Sequence, residues 1–177
     1  VTFAKQPQTR FDPPPQVARD YEQRLSISPV GNLEWLYSLP GDLDQDGRVF
    51  MDDLIVFDIH NETPGPFAAT SLEYLIDGNG DGYIASDDVT FVGIHMNQAL
   101  SGFNVYAGGA ADLPADAEAP STLAPLAYVS IADAQGDPET ERLRFSLPVV
   151  APTGSLVWIR PLLSGVEGPA SMPVSVP

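Results

Sequence analysis

The chain of 177 residues carries 24 acidic against 8 basic side chains, a formal net charge of −16. Such a surface repels phosphate and anionic headgroups, so no nucleic acid partner and no membrane-surface partner is expected. Apolar residues make up 44% and aromatics 9%, too rich for a disordered acidic tail, and the absence of cysteine removes disulfides, thiolate metal sites and cysteine nucleophiles together.

No apolar run approaches the ~18 residues of a membrane span. Residue 1 is Val, with no charged-then-apolar leader before it, which reads as a mature extracellular or cell-surface chain after leader removal; a chain trimmed at its start is the alternative. Residues 1–16 read as an extended arm. Val1 and Phe3 alternate with Thr2 and Ala4 as in a short strand, and Pro13, Pro14 and Pro15 then impose a stiff polyproline stretch. So short a segment cannot bury Val1, Phe3 and Phe11 by itself, so the arm is expected to dock on a body, its own or a neighbour's.

Residues 16–23 have the pattern of a short helical turn. Arg24–Val30 and Asn32–Ser38 read as strands with Gly31 as the turn between them. Beyond Leu113, the runs Leu126–Ala132, Leu143–Val149, Leu156–Leu162 and Met172–Val176 read as short strands separated by Asp, Gly and Pro clusters. Residues 112–125, rich in Ala, Pro and Asp, read as a long loop. Strands at this spacing suggest a mainly β sandwich.

The chemistry is concentrated in an internal repeat. Residues 42–60 and 77–95 are related by an offset of 35 residues. Loop positions 1, 3 and 5 carry Asp42, Asp44 and Asp46 in the first copy and Asp77, Asn79 and Asp81 in the second. Position 6 is glycine (Gly47, Gly82), position 8 aliphatic (Val49, Ile84) and position 12 Asp53 or Asp88. A hard dication takes six to eight oxygens at about 2.3–2.6 Å, and alternate residues of a tight loop aim theirs at one centre. The position-7 carbonyls of Arg48 and Tyr83 would add a backbone ligand, and Asp53 and Asp88 would arrive from the following helix. Loop 1 holds five acids within twelve residues, and their mutual repulsion becomes attraction around a cation. Two calcium ions are therefore expected, magnesium being disfavoured by its demand for a rigid octahedron. Asp52 and Asp87, at position 11, read as solvated charges, and His60 and His95 as equivalent helix ends in pseudo-symmetric packing.

The repeat over residues 41–98 resembles a dockerin-type calcium module, and Asp at position 12 favours that type over the ordinary EF-hand. The resemblance implies calcium ligation by the residues just named. It does not carry cohesin recognition. Dockerins that bind cohesins have small or hydroxylated pairs at positions 10 and 11, where this chain has Met51–Asp52 and Ser86–Asp87, and residues 54–60 contain no Lys or Arg. The flanks, residues 17–40 and 101–177, resemble a fibronectin type III sandwich into which residues 41–100 are inserted. That likeness makes Arg24–Val30 strand A, NLEWLYSLP strand B, SGFNVYAGG strand C, LAYVSIA strand C′, RLRFSLPV strand E, SLVWIRPL strand F and the last segment strand G. Trp35 and Trp158 would then be core aromatics on facing sheets.

No metalloprotease helix, nucleophile elbow or phosphate loop is present, so the chain does not read as an enzyme. The favoured expectation is a calcium-stabilised structural subunit of an extracellular filament, its partner being itself as a homopolymer. Its arm would add a strand to the next subunit. A calcium-dependent accessory module that binds carbohydrate or protein is the alternative. Asn61-Glu62-Thr63 is a sequon, and a glycan there would suit an exported surface protein.

Overall fold

The computed structural model describes residues 25–177 except Ser38, Pro138 and Thr140. The expected arm, with Val1, Phe3 and Phe11, and the helical turn at 16–23 lie outside the described residues. Among those described, nine strands form two antiparallel sheets. The first sheet has the order β1 (Ser26–Ile27), β2 (Asn32–Leu36), β6 (Leu143–Pro148), β5 (Gln135–Gly136). The second has the order β4 (Ala127–Ser130), β3 (Leu100–Gly108), β7 (Leu156–Leu163), β8 (Val166–Glu167), with β9 (Val174–Ser175) also on β7.

The period-2 pattern of β2 sends Leu33 and Trp35 inward. Register then sets Trp35 opposite Phe145 of β6, and the two rings stack with centroids 5.2 Å apart. Phe103, from β3 of the other sheet, meets them edge-on at 5.5 and 5.0 Å. The two sheets thus face each other across an aromatic cluster. Each such ring pair contributes about 0.5–1.5 kcal/mol beyond its buried area.

Several expected strands are shorter than their apolar runs. Arg24–Val30 contracts to Ser26–Ile27 because residues 28–31 turn: Gly31 N–H donates to Ser28 O, and Gly31 takes φ 87°. Leu126–Ala132 stops at Ser130, whose hydroxyl caps a 3-10 turn at Ile131–Asp133. Met172–Val176 reduces to Val174–Ser175. Trp158 also departs from expectation. It is buried, but Val157 and Ile159 take the inward positions of β7 and join the inter-sheet core, so Trp158 lies on the opposite face. There it stacks on Tyr106, and neighbouring Arg160 donates to the carbonyls of Ala117 and Ala119. The segment read as a loop therefore covers the outer face of β7. With apolar residues on both faces, β7 carried no parity signal.

Between β2 and β3 lie three short helices, α1 (Asp53–His60), α2 (Leu72–Ile76) and α3 (Val89–His95). The sequence reading did not include α2, since five residues are too few to show a helical period. It is capped by Ser71, whose hydroxyl accepts from Tyr74 N–H, and it buries Leu72, Leu75 and Ile76. These side chains, with Leu43, Val49, Phe57 and Ile84, belong to the same buried cluster as Leu33, Trp35 and Phe103. Residues 41–100 thus share one core with the sheets. No helix among the described residues is long and apolar enough to cross a membrane.

Candidate metal centre

The two loops repeat the same hydrogen bonds. In loop 1, Asp42 Oδ2 accepts from Gly47 N–H at 2.9 Å, Asp44 Oδ1 from Asp46 N–H at 3.1 Å, and Asp46 Oδ1 from Arg48 N–H at 2.8 Å. In loop 2, Asp77 Oδ2 accepts from Gly82 N–H at 3.1 Å, Asn79 Oδ1 from Asp81 N–H at 2.8 Å, and Asp81 Oδ1 from Tyr83 N–H at 2.9 Å. Each side chain spends one oxygen on the bend, which glycine permits at φ 95° (Gly47) and 86° (Gly82).

The remaining oxygens define the site. Asp42, Asp44 and Asp46 bring ligand oxygens within 4.8 Å of one another, an arrangement able to hold a metal ion. Asp42 Oδ1 and Asp77 Oδ1, the equivalent atoms of the two loops, are buried without a hydrogen-bond partner. A buried carboxylate oxygen left unpaired is costly, and a cation would satisfy it. The donor set is entirely oxygen, which fits a hard divalent ion. Loop 2 has Asn79 between Asp77 and Asp81, so it offers two acids where loop 1 offers three.

Position 7 behaves alike in both copies. Arg48 bridges to Ala99 and Tyr83 to Pro64, so each loop pairs with the segment that follows the other copy's helix. The hydrogen bonds of these two ladders are made by residues 47 and 49 and by residues 82 and 84. The carbonyls of Arg48 and Tyr83 take none of them. At position 12, Asp53 and Asp88 are buried at the starts of α1 and α3. Asp53 accepts from the N–H groups of Leu43, Asp44 and Phe50, and Asp88 from those of Asn79 and Ala85. Both carboxylates therefore tie the start of a loop to the start of its helix. Both position-11 acids, Asp52 and Asp87, are exposed, and Asp87 also accepts from Asn79 Nδ2.

Burial pushes the Asp42 carboxyl up to about 9, with the charge of Asp53 adding to the effect. Burial also raises Asp53, Asp77 and Asp88. Four acids are thus held where their ionised forms are disfavoured unless positive charge is supplied. Replacing Asp42 with Asn should consequently reverse sign with conditions. In chelator the variant should be at least as stable as the parent, because a buried ionisable group has gone. In calcium it should bind more than tenfold more weakly, a loss of at least about 1.4 kcal/mol. Paired melts and calcium titrations check both arms.

Two residues of the site were not picked out from sequence. Tyr37 donates its hydroxyl to Asp42 Oδ2. Gln45 donates to Glu141 O and accepts from Leu143 N–H. Tyr37 sits in an ordinary strand pattern and gave no signal. Gln45 did leave one, because it occupies position 4, where loop 2 has Gly80. His60 and His95 close α1 and α3 as expected, but unequally: His60 pairs with Glu73 at 3.7 Å, while His95 is buried and bonded to Gln98. Asn61 lies exposed on the turn after α1.

Comparison with protein-family models, curated proteins and solved structures finds no match.

Proposed function

We propose that the chain is a secreted structural module stiffened by two calcium ions, one in each repeat. The observation that carries this reading is the unpartnered, buried Oδ1 of both Asp42 and Asp77. Asp42, Asp44, Asp46, Asp53 and the Arg48 carbonyl would hold the first ion. Asp77, Asn79, Asp81, Asp88 and the Tyr83 carbonyl would hold the second. The reciprocal bridges 48 to 99 and 83 to 64 keep the repeat's own offset and support a dockerin-like pair related by pseudo-two-fold symmetry. The sheet order β1-β2-β6 corresponds to A-B-E, and β4-β3-β7 with β9 also on β7 corresponds to C′-C-F-G, and both support a fibronectin type III-like host sandwich. Calorimetric titration should find two equivalents of calcium and weaker binding of magnesium. No binding, or a preference for magnesium, overturns the reading.

The assembly proposal rests on residues 1–16. Added as a strand to a neighbour, they would supply main-chain hydrogen bonds, and Val1, Phe3 and Phe11 would contribute roughly 1.5–3 kcal/mol for each side chain fully buried. A head-to-tail contact that does not close makes a filament. Deleting residues 1–15 should leave a folded, calcium-binding monomer with no fibres by electron microscopy. Fibres formed by the truncated chain would contradict the arm mechanism. One observation favours the accessory-module reading instead. Met51, Ile55 and Ile59 recur every four residues beside and along α1 and are all well exposed, a stripe suited to a protein partner. Isolated particles that capture such a partner, with no fibres at any calcium concentration, would favour that reading.

A further inference from the structure

We infer that the two ion sites are unequal in what they control: loop 1 is wired to the sheets and loop 2 is not. This inference rests on the calcium reading above.

Position 4 carries the first argument. It is left-handed in both loops, with φ 60° at Gln45 and 69° at Gly80. Glycine adopts that conformation freely, while a residue with a β-carbon resists it. Loop 1 nevertheless keeps a glutamine there, and both ends of its amide are engaged outside the loop. Nε2 donates to Glu141 O at 2.6 Å, and Oε1 accepts from Leu143 N–H at 2.7 Å. One side chain thus acts as a short strand against the start of β6.

Position 1 carries the second. Asp42 presents one unpartnered oxygen, and its other oxygen accepts from the Tyr37 hydroxyl. Tyr37 is fully buried, its N–H donates to Leu143 O, its carbonyl accepts from Arg142, and its ring lies against Phe145 at 6.5 Å. Phe145 in turn stacks on Trp35. Arg142 also donates to Ser71 O, the cap of α2, so it spans sheet and insert. Residues 141–145 therefore receive both the first ligand and the fourth residue of loop 1. In loop 2, by contrast, the hydrogen bonds among the described residues stay within the insert, between residues 62 and 91.

Calcium at loop 1 orients Asp42 and, through Tyr37 and Gln45, holds the insert against β6. Calcium at loop 2 orders the insert, which meets the sheets through the shared apolar core that includes Ile84 but through no hydrogen bond of loop 2. The test uses a Tyr83→Phe background, which removes the tyrosine of loop 2 itself. There the near-ultraviolet circular dichroism of the full chain includes the signal of the buried cluster of Tyr37, Trp35 and Phe145, and each variant is compared with that parent. On adding calcium, the Asp81→Ala chain should retain most of the parent's spectral change and the Asp44→Ala chain should lose most of it. Both positions are exposed, so neither substitution removes core packing. Gln45→Gly, which gives loop 1 the fourth residue of loop 2, should still bind two ions by calorimetry yet lose much of the spectral change. Equal losses in Asp44→Ala and Asp81→Ala, or a full change in Gln45→Gly, would overturn the inference while leaving calcium binding intact. A wild-type chain that takes up no calcium would instead overturn the underlying reading, and this inference with it.

Discussion

Removing calcium with a chelator should lower the midpoint of thermal unfolding by about 10–20 °C. Free calcium at 100 times the dissociation constant stabilises by about 2.7 kcal/mol per site, so two sites contribute about 5 kcal/mol. For a chain of this size each kcal/mol moves the midpoint by about 2–4 °C. The effect has a structural route, because Leu43 and Val49 of loop 1 and Ile84 of loop 2 are buried in the core that also contains Trp35 and Phe103. Loosening the loops therefore loosens the core. Scanning calorimetry with and without chelator is the measurement, and an unchanged midpoint would refute calcium as a structural ligand. Extracellular calcium modules commonly bind at about 10⁻⁴–10⁻³ M. Sites of that strength would stay empty at cytosolic calcium and fill at millimolar calcium, where the fold would tighten.

Phe145→Ala is expected to cost about 3–5 kcal/mol, the range for deleting a fully buried aromatic ring. Phe145 is completely buried and makes ring contacts with Trp35, Tyr37 and Phe103. It thus joins both sheets and the residue behind Asp42. Its loss should lower the midpoint by about 6–20 °C and also weaken calcium binding at loop 1 through Tyr37. Val150→Ala, at an exposed position, is the matching control and should stay within about 0.5 kcal/mol of the parent. Denaturant melts of the two variants make the comparison. A Phe145→Ala chain within 1 kcal/mol of the parent would mean that the aromatic cluster does not hold the sheets together.

Much of the fold was legible because its determinants are local. Alternation in NLEWL marks β2, and Gly31 marks the turn before it. Strand ends were less legible: the apolar runs 24–30 and 126–132 continue past the points where Ser28 and Ser130 turn the chain. The facing of Trp158 was hidden for a different reason, since β7 is covered on both sides and its alternation carries no contrast.

The loops themselves were written in the sequence. Their side-chain oxygens, glycines and aliphatic residues recur at fixed offsets, and a tight loop brings alternate side chains to one centre wherever it lies in a fold. What surrounds that centre came only from tertiary structure. Tyr37 precedes Asp42 by five residues but reaches it across a buried contact, and Gln45 meets β6 from nearly a hundred residues away in the chain. Spacing encodes what a loop can do by itself. Which buried strand reads that loop depends on long-range packing, and a local pattern holds no trace of it.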